Sequence, residues 1–213
     1  MTVLSRRQYC KRYRSTIQVM SDAAATDFAT ARRSQLFDEL LAMFLTEGFA
    51  HFTLDAIAAR LHCSKSTLYT LAASKDELVR ATTIHFFRRA TDDVEAAVGA
   101  VASPRAQITA YLAAVGDTLG AASPQFLADL AAFAPAREAY EQNTAIAAGR
   151  VKELIDDGVA AGEFREVHAV FAADLATTTM VRIQQGAVRA ATGLDDAGAY
   201  RELAAILTAG ISV

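Results

Sequence analysis

The stretch from Thr53 to Leu78, TLDAIAARLHCSKSTLYTLAASKDEL, constrains this chain most. Leu54, Ile57, Ala58 and Leu61 fall at i, i+3, i+4 and i+7, one apolar face of a short helix. Thr53 stands just ahead of it, where a hydroxyl can cap the free backbone N–H groups. His62 and Cys63 interrupt the pattern and Ser64 offers a second N-cap. Beyond Ser64, Leu68 and Leu71 are spaced to point inward, while Lys65, Ser66, Thr67 and Tyr69 are left to solvent. Ser74-Lys75-Asp76-Glu77 then reads S-x-x-E, a capping box that opens another helix. A helix, a tight turn and a second helix with small donors, a lysine and a tyrosine near its start fit a DNA major groove.

The rest of the chain predicts an all-α protein. It has only 3 Pro and 11 Gly in 213 residues, and 53% of it is hydrophobic. Ser103-Pro104 and Ser123-Pro124 place proline at the first position of a helix, where its missing N–H costs nothing. The periodicity predicts about nine helices. They cover Arg32 to Glu47, the pair just described, Lys75 to about Val98, one after Pro104 and one after Pro124. Three more run from about Arg137 to Ala161, from His168 to Ala191, and from Asp195 or Asp196 to Ala209. No 18-residue apolar run exists, and the N-terminal segment has no continuous apolar h-region. With only Cys10 and Cys63 far apart in sequence, reduced thiols in the cytoplasm are the expectation.

Charge is divided unevenly. Through Ala90 there are 13 Lys+Arg against 8 Asp+Glu, and from Thr91 onward 8 against 16. A basic N-terminal part on an acidic body puts a nucleic-acid-facing surface at one end. Arg6, Arg7, Lys11, Arg12 and Arg14 belong to residues 1–30, read as a flexible basic arm able to lie along phosphates. Arg32 and Arg33 open a helix where the macrodipole disfavours cations, so they are candidates for an external anion. His51, His62, His85 and His168 form no metal-ligand spacing with cysteine or carboxylates, and no metal or cofactor is expected. No phosphate-cradling glycine loop, HExxH or nucleophile elbow points to an enzyme.

Residues Arg33 to Leu78 resemble the DNA-binding domain of TetR-family transcriptional regulators. The resemblance rests on Glu47-Gly48-Phe49 closing the first helix, Thr53 with Ile57-Ala58, the run Ser64 to Tyr69, and Ser74 to Leu78. The chain departs from the family at His62-Cys63, where Gly-Val is usual, and at Leu71-Ala72, where His-Phe or Tyr-Phe is usual. Without the turn glycine, His62 is expected to carry a positive φ at modest strain.

The resemblance implies a helix-turn-helix domain over 31–78 (motif about 53–72) and a helical effector-binding and dimerisation domain over 79–213. It implies DNA contacts from Thr53, Ser64, Lys65, Ser66, Thr67, Tyr69 and Lys75, beside Arg32 and Arg33. It implies a homodimer on a palindromic operator, released by a small apolar or aromatic effector. The stripes Ala172, Ala176, Ile183, Ala187 and Tyr200, Leu203, Ala204, Ile206, Leu207 are the expected dimer interface. Phe87, Tyr111, Phe126, Phe133, Tyr140, Thr178, Met180 and Gln184 are candidates to line the effector pocket. The competing functions are a helical adaptor that binds only protein and an all-helical enzyme.

Overall fold

The computed structural model describes residues 31–213, with side chains from Arg33 onward. The basic arm, Cys10 and the Arg32 side chain lie outside the described residues. Among those described there are 10 helices and no strand. We number them α1 (Ala31–Glu47), α2 (Leu54–Arg60), α3 (Lys65–Leu71), α4 (Lys75–Gly99), α5 (Pro104–Gly120), α6 (Pro124–Ala132), α7 (Ala134–Ala160), α8 (Ala169–Gln184), α9 (Ala187–Thr192) and α10 (Asp196–Ile211). None is long and apolar enough to cross a membrane.

Helix starts follow the sequence signals closely. Thr53, Ser64, Ser74, Ser103, Ser123 and Asp195 each accept an N–H three residues on, as N-caps do. Pro104, Pro124 and Pro135 all sit in first turns. One helix read as continuous is broken: the expected span from His168 to Ala191 parts at Gln185-Gly186 into α8 and α9. Gly186 takes φ 72, which ends the ladder of α8.

Two apolar cores organise the chain. The first joins α1 to α4 through Leu40, Phe44, Phe49, Ile57, Leu68 and Leu78, and takes in Phe126 and Leu130 of α6. The second joins the lower half of α4 to α5, α7, α8 and α10 through Val98, Leu112, Ile155, Ala176 and Tyr200. Packing runs on across residue 78, the expected end of the DNA-binding domain. Phe49 meets Phe126 edge-on at 6.0 Å and Phe133 at 5.8 Å between ring centroids.

Asp129 of α6 reinforces this junction. It is 4% exposed. Its Oδ2 accepts from the backbone N–H of Phe49 at 2.6 Å and of Ala50 at 2.8 Å, and its Oδ1 accepts from Gln125 at 2.7 Å. Gly48, at φ 78, closes α1 there, and a Cβ on it would lie 2.6 Å from the Asp129 carboxylate. On α1, Asp38 accepts from His85 at 2.8 Å and Arg89 at 2.7 Å, both on α4. The His85 hydrogen bond leads in holding the Asp38 carboxyl below the usual carboxylate range.

Candidate nucleic-acid interface

The turn between α2 and α3 sets the aim of α3. Cys63 N–H donates to Ala58 C=O at 2.9 Å and His62 N–H to Ala59 C=O at 3.3 Å. That pair of bonds is a Schellman closure, whose left-handed residue is usually glycine. Here it is His62, at φ 48. Leu68 and Leu71 then seat α3 on the first core. Its other side is solvent-facing: Lys65, Ser66, Tyr69 and Thr70 are exposed, with Tyr69 at 52%.

The polar groups around the start of α3 are organised. Ser64 Oγ accepts from Thr67 N–H at 3.1 Å and shares hydrogen bonds with Ser66 Oγ at 2.7 Å and Thr67 Oγ1 at 2.9 Å. Lys65 Nζ meets Asp55 Oδ1 of α2 at 2.7 Å. That hydrogen bond holds the lysine above its usual range, desolvation opposes it, and the Asp55 charge assists. Thr53 Oγ1 accepts from Ala56 N–H at 3.2 Å. Lys75 Nζ donates to Ala50 C=O at 2.8 Å, at the entry to α4. Hydroxyls, a lysine and a phenol thus share the face that holds the exposed N-terminus of α3. Such a set can donate to phosphate oxygens and to base edges.

Behind this unit, α4, α5, α7 and α8 enclose a cavity of about 380 Å³. Val94, Tyr111, Val115, Leu119, Ile146 and Met180 supply apolar wall, while Arg88, Asp92, Glu95 and Arg150 put charge into it. Arg150 is 3% exposed and grips Glu95 of α4 through Nε at 2.8 Å and Nη2 at 3.0 Å. Glu153 lies 3.5 Å from the same guanidinium. Burial pushes the Glu153 carboxyl up to about 7, with Arg150 opposing and Asp157 and Glu95 adding to the rise. At another part of the wall Tyr140 donates to Gln184, which donates to the buried Tyr200 at 3.0 Å. Burial raises both phenols.

A profile described as "Bacterial regulatory proteins, tetR family" matches residues 36–82, the whole of this helix-turn-helix unit. Over those residues the chain is similar to the tetR family. No curated protein matches it in sequence. Its fold is similar to that of a transcriptional regulator from Cytophaga hutchinsonii, at 16% identity and TM-score 0.68 over 86% of this chain and 100% of that one. It is similar to a putative transcriptional regulator from Saccharomonospora viridis in complex with choline, at 15% identity and TM-score 0.70 over 85% and 98%. A TetR-family transcriptional regulator from Streptomyces coelicolor matches at 21% identity and TM-score 0.66 over 91% and 96%.

The residues singled out from sequence are placed as follows. Thr53, Ser64, Lys65, Ser66 and Tyr69 are exposed around α3, with Thr67 beside them half-buried. Arg33 is set apart from them. It turns inward, is half-buried, and donates to Leu71 C=O at 3.2 Å, so it closes the end of α3.

Phe87, Tyr111, Tyr140, Met180 and Gln184 do line the cavity. Phe126 and Phe133 do not; they pack on Phe49 in the first core. Thr178 faces outward on α8. Arg150 and Glu95 are functional candidates that sequence reasoning passed over. The signal was an arginine in the inward register of α7, in step with Ala136, Asn143, Ala147 and Leu154.

The stripes expected to form a dimer interface turn mostly inward. Ala172, Ala176, Ile183, Tyr200, Ala204 and Leu207 are buried in the chain's own second core. Ala187 and Leu203 are half-buried, and Leu203 packs against that same core. Of the predicted stripe only Ile206 is well exposed, at 69%. The packed pair α8 and α10 exposes Val170, Phe171 and Leu175 on the one helix and Ile206 on the other.

Proposed function

We propose that this chain is a homodimeric, effector-responsive DNA-binding transcriptional regulator that represses from a palindromic operator. The observation that carries the reading is α3. It is a short helix, anchored by Leu68 and Leu71, that leaves Lys65, Ser66 and Tyr69 to solvent within the matched helix-turn-helix. Ser64, Lys65, Ser66 and Thr67 meet base edges and phosphates. Tyr69, Thr53 and Lys75 hold the backbone, Lys75 by leaving the Ala50 carbonyl for a phosphate at the α4 N-terminus. Acting on DNA, the protein works in the cytoplasm.

Two copies pair through the outer faces of α8 and α10, where Phe171, 66% exposed, is the largest apolar group. An apolar face of this kind on a monomer is a protein-contact surface. Pairing sets two α3 helices about 34 Å apart, or a multiple of that, to read the two halves of a palindrome.

The cavity is the effector site. Its wall mixes apolar and charged groups, so the effector has an apolar body and polar ends that can address Arg150 or Gln184. The choline bound by the Saccharomonospora viridis protein is compatible with a small polar ligand in this fold. Because α4 both walls the cavity and follows α3, a ligand that favours a different placement of α4 changes the spacing of the reading heads.

The test is a mobility shift on duplex DNA from upstream of the chain's own coding sequence, across a salt series. Binding weakens steeply with salt, and Lys65→Ala, Tyr69→Phe and Phe171→Asp each weaken it about tenfold or more. Unaltered binding by both α3 variants would refute the assignment of α3.

A further inference from the structure

Lys65 is paired within the chain. Its ammonium already lies 2.7 Å from Asp55, which stands on the first turn of α2. Both side chains are open to water, at 48% and 74% exposure, on the face that carries the start of α3. Asp55 is therefore a carboxylate placed within reach of an approaching phosphate backbone, a position that general electrostatics disfavours.

We propose that Asp55 is a positioning residue for specificity: it aims Lys65 at a base edge and withholds it from phosphates. The proposal rests on the DNA-binding reading above. A lysine is a flexible point charge that satisfies any nearby phosphate. Buttressed by Asp55, its remaining N–H groups address a guanine O6 or N7 without the ammonium leaving its partner. The same buttress removes one cation from the phosphate-binding set on unrelated DNA, where the Asp55 charge adds repulsion. Helix α2 gains a little from an acidic first turn as well, but that contribution does not depend on which DNA is present.

The experiment compares the full chain with Asp55→Asn, Lys65→Ala and the double variant. Two probes are used: an operator selected by the wild-type chain from a random duplex library, and a scrambled duplex of equal length. Affinity is measured at several salt concentrations. Asp55→Asn is expected to tighten scrambled-duplex binding by about threefold, with no comparable gain on the operator, so the specificity ratio falls. The salt dependence on the scrambled duplex steepens by about 0.9 in log–log slope, one added phosphate contact. In the Lys65→Ala background the slope change vanishes and only the smaller gain from removing the Asp55 charge remains.

An unchanged ratio and slope in Asp55→Asn would overturn the proposal. So would a gain of equal size in the Lys65→Ala background, since that gain would come from net charge alone. A wild-type chain that selects no duplex would overturn the DNA-binding reading itself, and this proposal with it.

Discussion

Asp129→Ala should be one of the most damaging single substitutions outside the hydrophobic cores. The carboxylate is 4% exposed and satisfies the N–H groups of Phe49 and Ala50. Phe49 N–H is buried, so water cannot replace the lost acceptor without entering the Phe49, Phe126 and Phe133 cluster. A buried donor left unsatisfied costs about 1–3 kcal/mol, and the second, part-buried charged bond adds roughly 1 kcal/mol. The expected loss is about 3 kcal/mol. For a chain of this size that lowers Tm by roughly 6–12 °C. Urea unfolding followed by circular dichroism measures it directly, with the midpoint falling at constant slope. Asp129→Asn retains an acceptor oxygen and should cost roughly 1 kcal/mol. A loss under about 1 kcal/mol for the alanine variant, or equal losses for alanine and asparagine, would refute the account of the junction.

Two further expectations concern backbone strain and a buried carboxyl. His62→Gly should stabilise the chain by about 0.5–1 kcal/mol, because the left-handed penalty at φ 48 exceeds the extra chain entropy of glycine. A thermal melt reads this as a Tm rise of a few degrees. Glu153 is raised from 4.5 to about 7, so the folded chain holds a proton that the unfolded chain has released between those values. Its contribution to stability is whole below about pH 4.5 and is lost as pH rises through about 7. Glu153→Gln should therefore match the wild type near pH 4 and exceed it at pH 8, as tracked by urea midpoints across that range.

How much of this was legible in the chain depends on how local the signal is. Caps at Thr53, Ser64, Ser74, Ser103 and Ser123 were readable because each involves residues three apart. The positive φ of His62 was readable because the turn demands it whatever packs nearby. The inward set of Arg33 was not, since its acceptor on Leu71 lies 38 residues away. The pairing of Arg150 with Glu95 spans 55 residues and was equally hidden.

The inward set of the stripes on α8 and α10 was hidden for another reason. A stripe of alanine says that something approaches closely, but not whether that neighbour belongs to the same chain. Here it does, and the larger apolar groups Phe171, Leu175 and Ile206 mark the outer side. The split at Gly186 went unread because Val181 and Ile183 before it and Ala187, Val188 and Ala190 after it continue a helical pattern.

The grip of α6 on Phe49 bears on how such a fold can be rebuilt or can diverge. A head grafted from a relative by cutting after Leu78 would arrive without the surface that Phe126, Phe133 and Asp129 were shaped to hold, and would sit loosely on its new body. Lys65, Ser66, Tyr69 and Thr70 answer to no such interior fit. Those outward positions can change one substitution at a time while the joint beneath them stays as it is.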